Sequence, residues 1–325
     1  VEAFLDVIRK DRQAKQPHHV RLTLPEEPAA DIRKRKLWLP DMHPIGTRPM
    51  AAAFRSEGVE ARPLPLEDEK TLALGRRWTR GAECLPMSLT LGAFLNQVEE
   101  DRRAGGRPER EAALFLPTST GPCRFGQYRT LDRIIFERQG LGEVPILSPG
   151  AHNAYFGLPR RLRFKVWRAI VGGDALFKMG CRVRPYETHR GDTEETLEKW
   201  TAKSEALVES NRMNWPGFLE AAMNDFLRVP ASSERRPLVG IVGEIYVRCN
   251  TFASGRLVEA IERAGGEAWL SPIAEWILYT AWMERYLSRE KSGEPWRKLG
   301  LAAKWRYLSG QEHAIYERLS PLLGD

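Results

Sequence analysis

Short apolar runs alternate along this chain with longer stretches of helical periodicity. Lys36-Leu37-Trp38-Leu39 runs into Pro40, a helix-compatible stretch from Pro49 to Glu57 stops at Gly58, and Val59 to Leu64 then reads as a strand. The same grammar returns at Ala112 to Leu116, followed by a Pro/Ser/Thr/Gly loop, a helical pattern from Arg124 to Gln139, Gly140, and Val144 to Leu147. It returns a third time at Leu238 to Val242, with a helical pattern over Arg256 to Ala264, Gly265-Gly266, and Ala268 to Leu270. Short apolar strands alternating with helices of this length predict βαβ units and a mainly parallel sheet. The glycines fall where helices need a left-handed cap.

Between the second and third units, residues from about Leu158 to Leu227 read as a helical region. After the third, Ile273, Trp276, Ile277, Thr280 and Met283 keep one stripe of a helix over 273–289. A polar lead-in over 1–35, with a short helix expected over Val1–Lys10, precedes a first α/β lobe over 36–150. A helical region plus a second α/β lobe is expected over 151–325. The chain begins at Val1, so it is read as trimmed or as a piece of a longer polypeptide.

Composition narrows the partners. The 50 Lys+Arg against 43 Asp+Glu give +7, but the positive charges are interspersed with acids, so no nucleic-acid partner is expected. No apolar run approaches the roughly 18 residues of a membrane span. No charged-then-apolar leader is visible either, so no membrane association and a cytoplasmic location are expected. Four cysteines in 325 residues do not make a disulfide framework.

Three of those cysteines stand at predicted helix entrances: Cys84 in Gly81-Ala-Glu-Cys84-Leu-Pro86, Cys123 in Gly121-Pro-Cys123-Arg-Phe-Gly-Gln-Tyr128, and Cys249 in Gly243-Glu-Ile-Tyr246-Val-Arg-Cys249-Asn250. A helix N-terminus favours the thiolate, the form that binds iron or zinc. Buried packing is the alternative for any free cysteine, and it is the favoured reading of Cys181. His43 follows the first strand at the mouth where parallel sheets bind ligands; it can exchange a proton with a substrate or order its own loop. His18 and His19 form no metal spacing, and His152, in Gly150-Ala-His152-Asn-Ala-Tyr155, has the same two readings as His43. Glu244, at the third mouth, can bind a hydroxyl or relay a proton, or can accept helix N-terminal amides. The basic run Arg160-Arg-Leu-Arg-Phe-Lys-Val-Trp-Arg168 reads foremost as a solvated face.

The segments Gly81 to Gly92, Gly121 to Tyr128, Arg184-Pro-Tyr-Glu187 and Ile241 to Tyr246 resemble the 2-hydroxyacyl-CoA dehydratase/benzoyl-CoA reductase superfamily. They resemble in particular its module associated with the CoA-substrate-specific enzyme activase. The likeness runs from about Lys36 to Tyr286. It implies two Rossmann-like lobes around a [4Fe–4S] cluster, an ATP-dependent activator as electron donor, an acyl-CoA substrate, and a homo- or heterodimer. Cys84 and Cys123 match its first two cluster cysteines. The stretch expected to hold the third, Leu270-Ser-Pro-Ile-Ala-Glu275, has none. Cys249 is the substitute from a neighbouring loop, the alternative being a cluster shared across a dimer. A non-catalytic scaffold or electron-relay module and a cluster-free CoA-binding protein are the rival readings. The chain lacks GxxxxGK[ST], GxGxxG, GxSxG and HExxH motifs, so any ATP is hydrolysed elsewhere.

Overall fold

A computed structural model of the chain describes Pro28 and residues 31–119, 123–150, 158–211, 214–290 and 295–324. The helix expected over 1–10 and His18, His19 and His152 lie outside these residues.

The first layer follows the alternating pattern of the sequence. It runs β1 (Lys36–Leu39), α1 (Thr47–Arg55), β2 (Ala61–Pro63), α2 (Glu69–Arg76), α3 (Leu85–Arg103), α4 (Pro108–Glu111), β3 (Ala112–Phe115), α5 (Tyr128–Arg138) and β4 (Ile146–Leu147). The four strands form one parallel sheet in the order β2-β1-β3-β4. Successive side chains of a strand point to opposite faces, and that alternation sorts the core. Leu37, Leu39, Ala113 and Phe115 enter one apolar cluster with Phe54 of α1. Trp38, Ala112 and Leu114 enter another with Phe94 of α3 and Phe136 of α5.

Three helices, α6 (Arg160–Val183), α7 (Asp192–Glu209) and α8 (Trp215–Phe226), fill the expected helical region. Arg48 and Arg55 of α1 bind Glu198, Glu205 and Glu209 of α7, which fixes α7 beside the sheet. The basic start of α6 is only partly a solvated face, because Lys165 is buried and pairs with Glu57.

The last third contains β5 (Leu238–Ile241), α9 (Ile245–Cys249), α10 (Leu257–Arg263), β6 (Glu267–Leu270), α11 (Ile273–Glu290) and α12 (Pro295–Leu323). β5 and β6 pair in parallel as a second sheet. Ile241, Ala268 and Leu270 pack into the same cluster as Leu37 and Phe54, so one apolar core joins the two sheets. The architecture is thus mixed α/β, rich in helix, with a four-stranded parallel sheet. Among the described residues no helix is long and apolar enough to cross a membrane.

Candidate functional site

The carboxyl ends of β1, β2 and β5 meet around a cluster of buried polar groups, and the loops after them carry acids. Asp41 follows β1, Glu67 follows β2, and Tyr246 and Asn250 belong to or follow α9. The Tyr246 hydroxyl donates to Glu67 Oε1 at 2.6 Å, and Asn250 Nδ2 donates to Glu67 Oε2 at 2.7 Å and to the Asp41 carbonyl at 3.1 Å. Asn250 Oδ1 in turn accepts the Ala253 amide at 2.8 Å. Burial, and then the nearby Glu67 carboxylate, push the Asp41 carboxyl up to about 7. Burial also raises Glu67, against the two donors that favour its charged form.

His43, at the β1 mouth, has both ring nitrogens engaged. Nδ1 accepts the backbone amides of Ile45 at 3.1 Å and Gly46 at 2.7 Å. Nε2 lies 3.1 Å from Asp174 Oδ1 on α6. A nitrogen that accepts carries no proton, so the imidazole is the neutral tautomer with its hydrogen on Nε2. The ring orders the loop that starts α1, one of the two roles its sequence position allowed. Asp174 also accepts the amides of Ile273 and Ala274, at 3.1 and 2.9 Å, and so caps α11.

The cysteines predicted as ligands fall into two settings. Cys84 is half-buried at the N-terminal cap of α3, with Pro86 in its first turn. Cys123 is exposed at the start of a 3₁₀ turn, Arg124–Gln127, that leads into α5. The Arg124 guanidinium reaches back to the Ala82 carbonyl, tying the two cysteine loops together. Gly126 sits so close to the Ser119 carbonyl that a Cβ would come within 2.4 Å of it. Both thiols face Tyr128, the first residue of α5. Its hydroxyl is held well above its ordinary titration range by burial first, then by the Cys84 thiol, and further by Glu244 and Cys123.

Cys249 is buried at the end of α9, and burial pushes its thiol up to about 12, with Asp174 and Glu244 adding in the same direction. Glu244 is exposed, accepts the Val247 amide at 2.8 Å and caps α9. Arg248 donates to the Gly243, Ser271 and Pro272 carbonyls and holds α9 against the β6 mouth. Among the described residues no three His, Cys, Asp or Glu side chains already converge as a ligand set. Cys181 is buried in α6, its thiol likewise pushed up to about 12 by burial.

Sequence reasoning singled out His43 and passed over Asp41, two residues earlier in the same loop, and Glu67. Asp41 stands two residues past β1 and Glu67 four residues past β2, both in loops at a parallel-sheet mouth, and that position was the available signal. Comparison with protein-family models, with curated proteins and with solved structures finds no match.

Proposed function

We propose that this protein is an iron–sulfur redox protein of the 2-hydroxyacyl-CoA dehydratase type, built on two Rossmann-like lobes and working in the cytoplasm. The observation that carries the reading is the pairing of Cys84 and Cys123 around Tyr128, from separate loops that Arg124 ties together. The two thiols stand at helix entrances, where the free N–H groups favour the thiolate that iron requires. On this reading they would hold one edge of a [4Fe–4S] cluster. Cys249, buried at the end of α9, is the third ligand this reading calls for. Such a cluster, when bound, supplies one-electron transfer. The chain's own residues contribute the thiolates, the Tyr128 hydroxyl beside them and the exposed carboxylate of Glu244. An ATP-dependent activator as electron donor, an acyl-CoA as substrate and a dimeric assembly belong to the same proposal.

The burial of Cys249 away from the exposed Cys123 favours a second reading, an electron-relay module without a substrate of its own. The test common to both is anaerobic reconstitution followed by iron and sulfide analysis and a visible spectrum. The expected result is a broad iron–sulfur band that Cys84→Ala with Cys123→Ala removes and Cys181→Ala leaves in place. Equal iron in the double variant and the parent overturns the proposal, as does a parent that takes up none. Acyl-CoA binding by the reconstituted chain then separates dehydratase from relay.

A further inference from the structure

The outer face of α11 is the reverse of an ordinary surface helix. Its inner side follows the expected pattern: Ala274 and Ala281 are buried, and Ile277 and Leu278 pack against the main core. A helix seated this way normally presents charged and polar residues to solvent. Among the described side chains of α11, the exposed ones are instead Glu275, Trp276, Tyr279, Trp282, Tyr286 and Leu287. Glu275, the one charged member, lies in the first turn and accepts the Ser271 hydroxyl.

The four aromatic residues are spaced three or four apart, so they line one side of the helix. Their rings form a ladder: Tyr279 stacks on Trp282 with centroids 6.4 Å apart, and Trp282 on Tyr286 at 5.3 Å with planes 19° apart. Each of the four is 42–53% exposed. At half exposure an aromatic side chain leaves about 100 Å² uncovered, so the ladder holds roughly 400 Å² of ring surface. Glu284 pairs with Lys304 of α12 at 2.8 Å. That pairing folds α12 back along α11 and brings Trp296 and Leu299, 80% and 60% exposed, to the end where Tyr286 and Leu287 lie. With these the exposed apolar surface approaches roughly 800 Å². Monomers rarely expose patches beyond about 300–600 Å², whereas each partner of a stable protein pair covers about 800 Å².

The size is that of one half of a protein interface, and the chemistry selects the other half. A foreign protein is steered and oriented by complementary charge, and the ladder carries none. A twofold axis lays the same patch against itself, so a charge near the axis would meet its own like. An uncharged ladder meets no such repulsion, and tyrosine and tryptophan are the residues that carry binding energy at interface centres.

We infer that the ladder is the interface of a homodimer, in which two α11 helices pack antiparallel about a twofold axis at Trp282 and Tyr279 of one protomer meets Tyr286 of its partner. This gives a surface to the dimeric assembly of the proposed function, and rests on that proposal only for the expectation that two copies meet.

Sedimentation velocity of the full chain, loaded from about 1 to about 100 µM, tests it. The parent should move from 37.0 kDa toward twice that mass as concentration rises. Trp282→Glu sets like charges at the axis and should weaken the dimer on the order of 100-fold or more. It changes an exposed face, so its circular dichroism should stay that of the parent. Leu66→Glu alters an apolar residue 69% exposed outside the ladder and should leave association unchanged. Tyr279→Glu and Tyr286→Lys should each weaken the dimer, and the two together in one chain should restore it, because antiparallel packing sets their opposite charges against each other across the axis. A parent that stays at 37.0 kDa throughout overturns the inference. So does Trp282→Glu dimerising like the parent, or a double variant no stronger than its singles. A monomeric parent that floats with phosphatidylcholine vesicles overturns it too, and assigns the ladder to a lipid surface. If Trp282→Glu does not fold, the Tyr279 and Tyr286 variants decide it. Sedimentation reads mass and not iron, so a monomer leaves the cluster at Cys84 and Cys123 to its own test, and iron-free protein can still dimerise.

Discussion

Tyr246 donates its hydroxyl hydrogen to Glu67 at 2.6 Å, a contact between residues 179 positions apart in the chain. It joins the loop after β2, in the four-stranded sheet, to α9, which follows β5 of the two-stranded one. Tyr246→Phe keeps the ring and removes the donor, leaving a buried carboxylate oxygen unserved. The expected loss is about 1–3 kcal/mol of stability, read from urea denaturation. A variant as stable as the parent would show that water replaces the hydroxyl.

The buried acids also set the pH dependence of folding. Asp41 is raised from 3.8 to about 7 in the folded protein, so between those values the folded state holds a proton that the unfolded chain has released. Stability therefore declines as pH rises from about 4 through about 7 and levels off above it. Glu67, and Asp132 within α5, are raised by burial too and act in the same direction. Asp41→Asn should flatten part of that decline, with a gain at about pH 8 on the order of a few kcal/mol at most. Denaturation midpoints at about pH 5 and pH 8 measure it. An unchanged slope would mean that Asp41 is hydrated.

Much of this fold was legible because its strands are short, apolar and punctuated. The run from Lys36 to Leu39 is β1, and the run from Leu238 to Val242 contains β5. The stops read at Gly58, Gly140 and Gly265 are left-handed, with φ of +80°, +69° and +90°. The helix read from Arg124 begins as a 3₁₀ turn and becomes α-helical only at Tyr128. Local pattern could not reveal α2, an eight-residue helix defined by its partner. It also could not pair Glu67 with Tyr246 or Cys84 with Tyr128. Those contacts depend on which loops the sheet brings together, and periodicity carries no such information.

That partnership of α2 with α3 gives a sharp test. Gly75 of α2 and Gly92 of α3 lie where the helices touch, and a Cβ on Gly75 would stand 1.8 Å from the Ser88 carbonyl oxygen. Alanine raises helix propensity by about 1 kcal/mol over glycine, yet here overpacking should outweigh it and destabilise by about 1–3 kcal/mol or more. Gly240→Ala, at a site with no atom within 4 Å, is the control and should be nearly neutral. Thermal melting of the two variants decides it.

Thiol chemistry should follow burial. In iron-free protein, iodoacetamide should label exposed Cys123 first and half-buried Cys84 next. Cys181 and Cys249 should react orders of magnitude more slowly, because burial holds both near 12 and blocks access. Mass spectrometry of a labelling time course gives the order. Early labelling of Cys249 would show that α9 opens readily.

Asp174 gives α6 a role beyond filling the core. One carboxylate midway along that helix holds the imidazole at the mouth of the first sheet and, on the same side chain, the start of the helix that follows the second. The two mouths are thus fastened to a single side chain, and Asp174→Ala unfastens both at once.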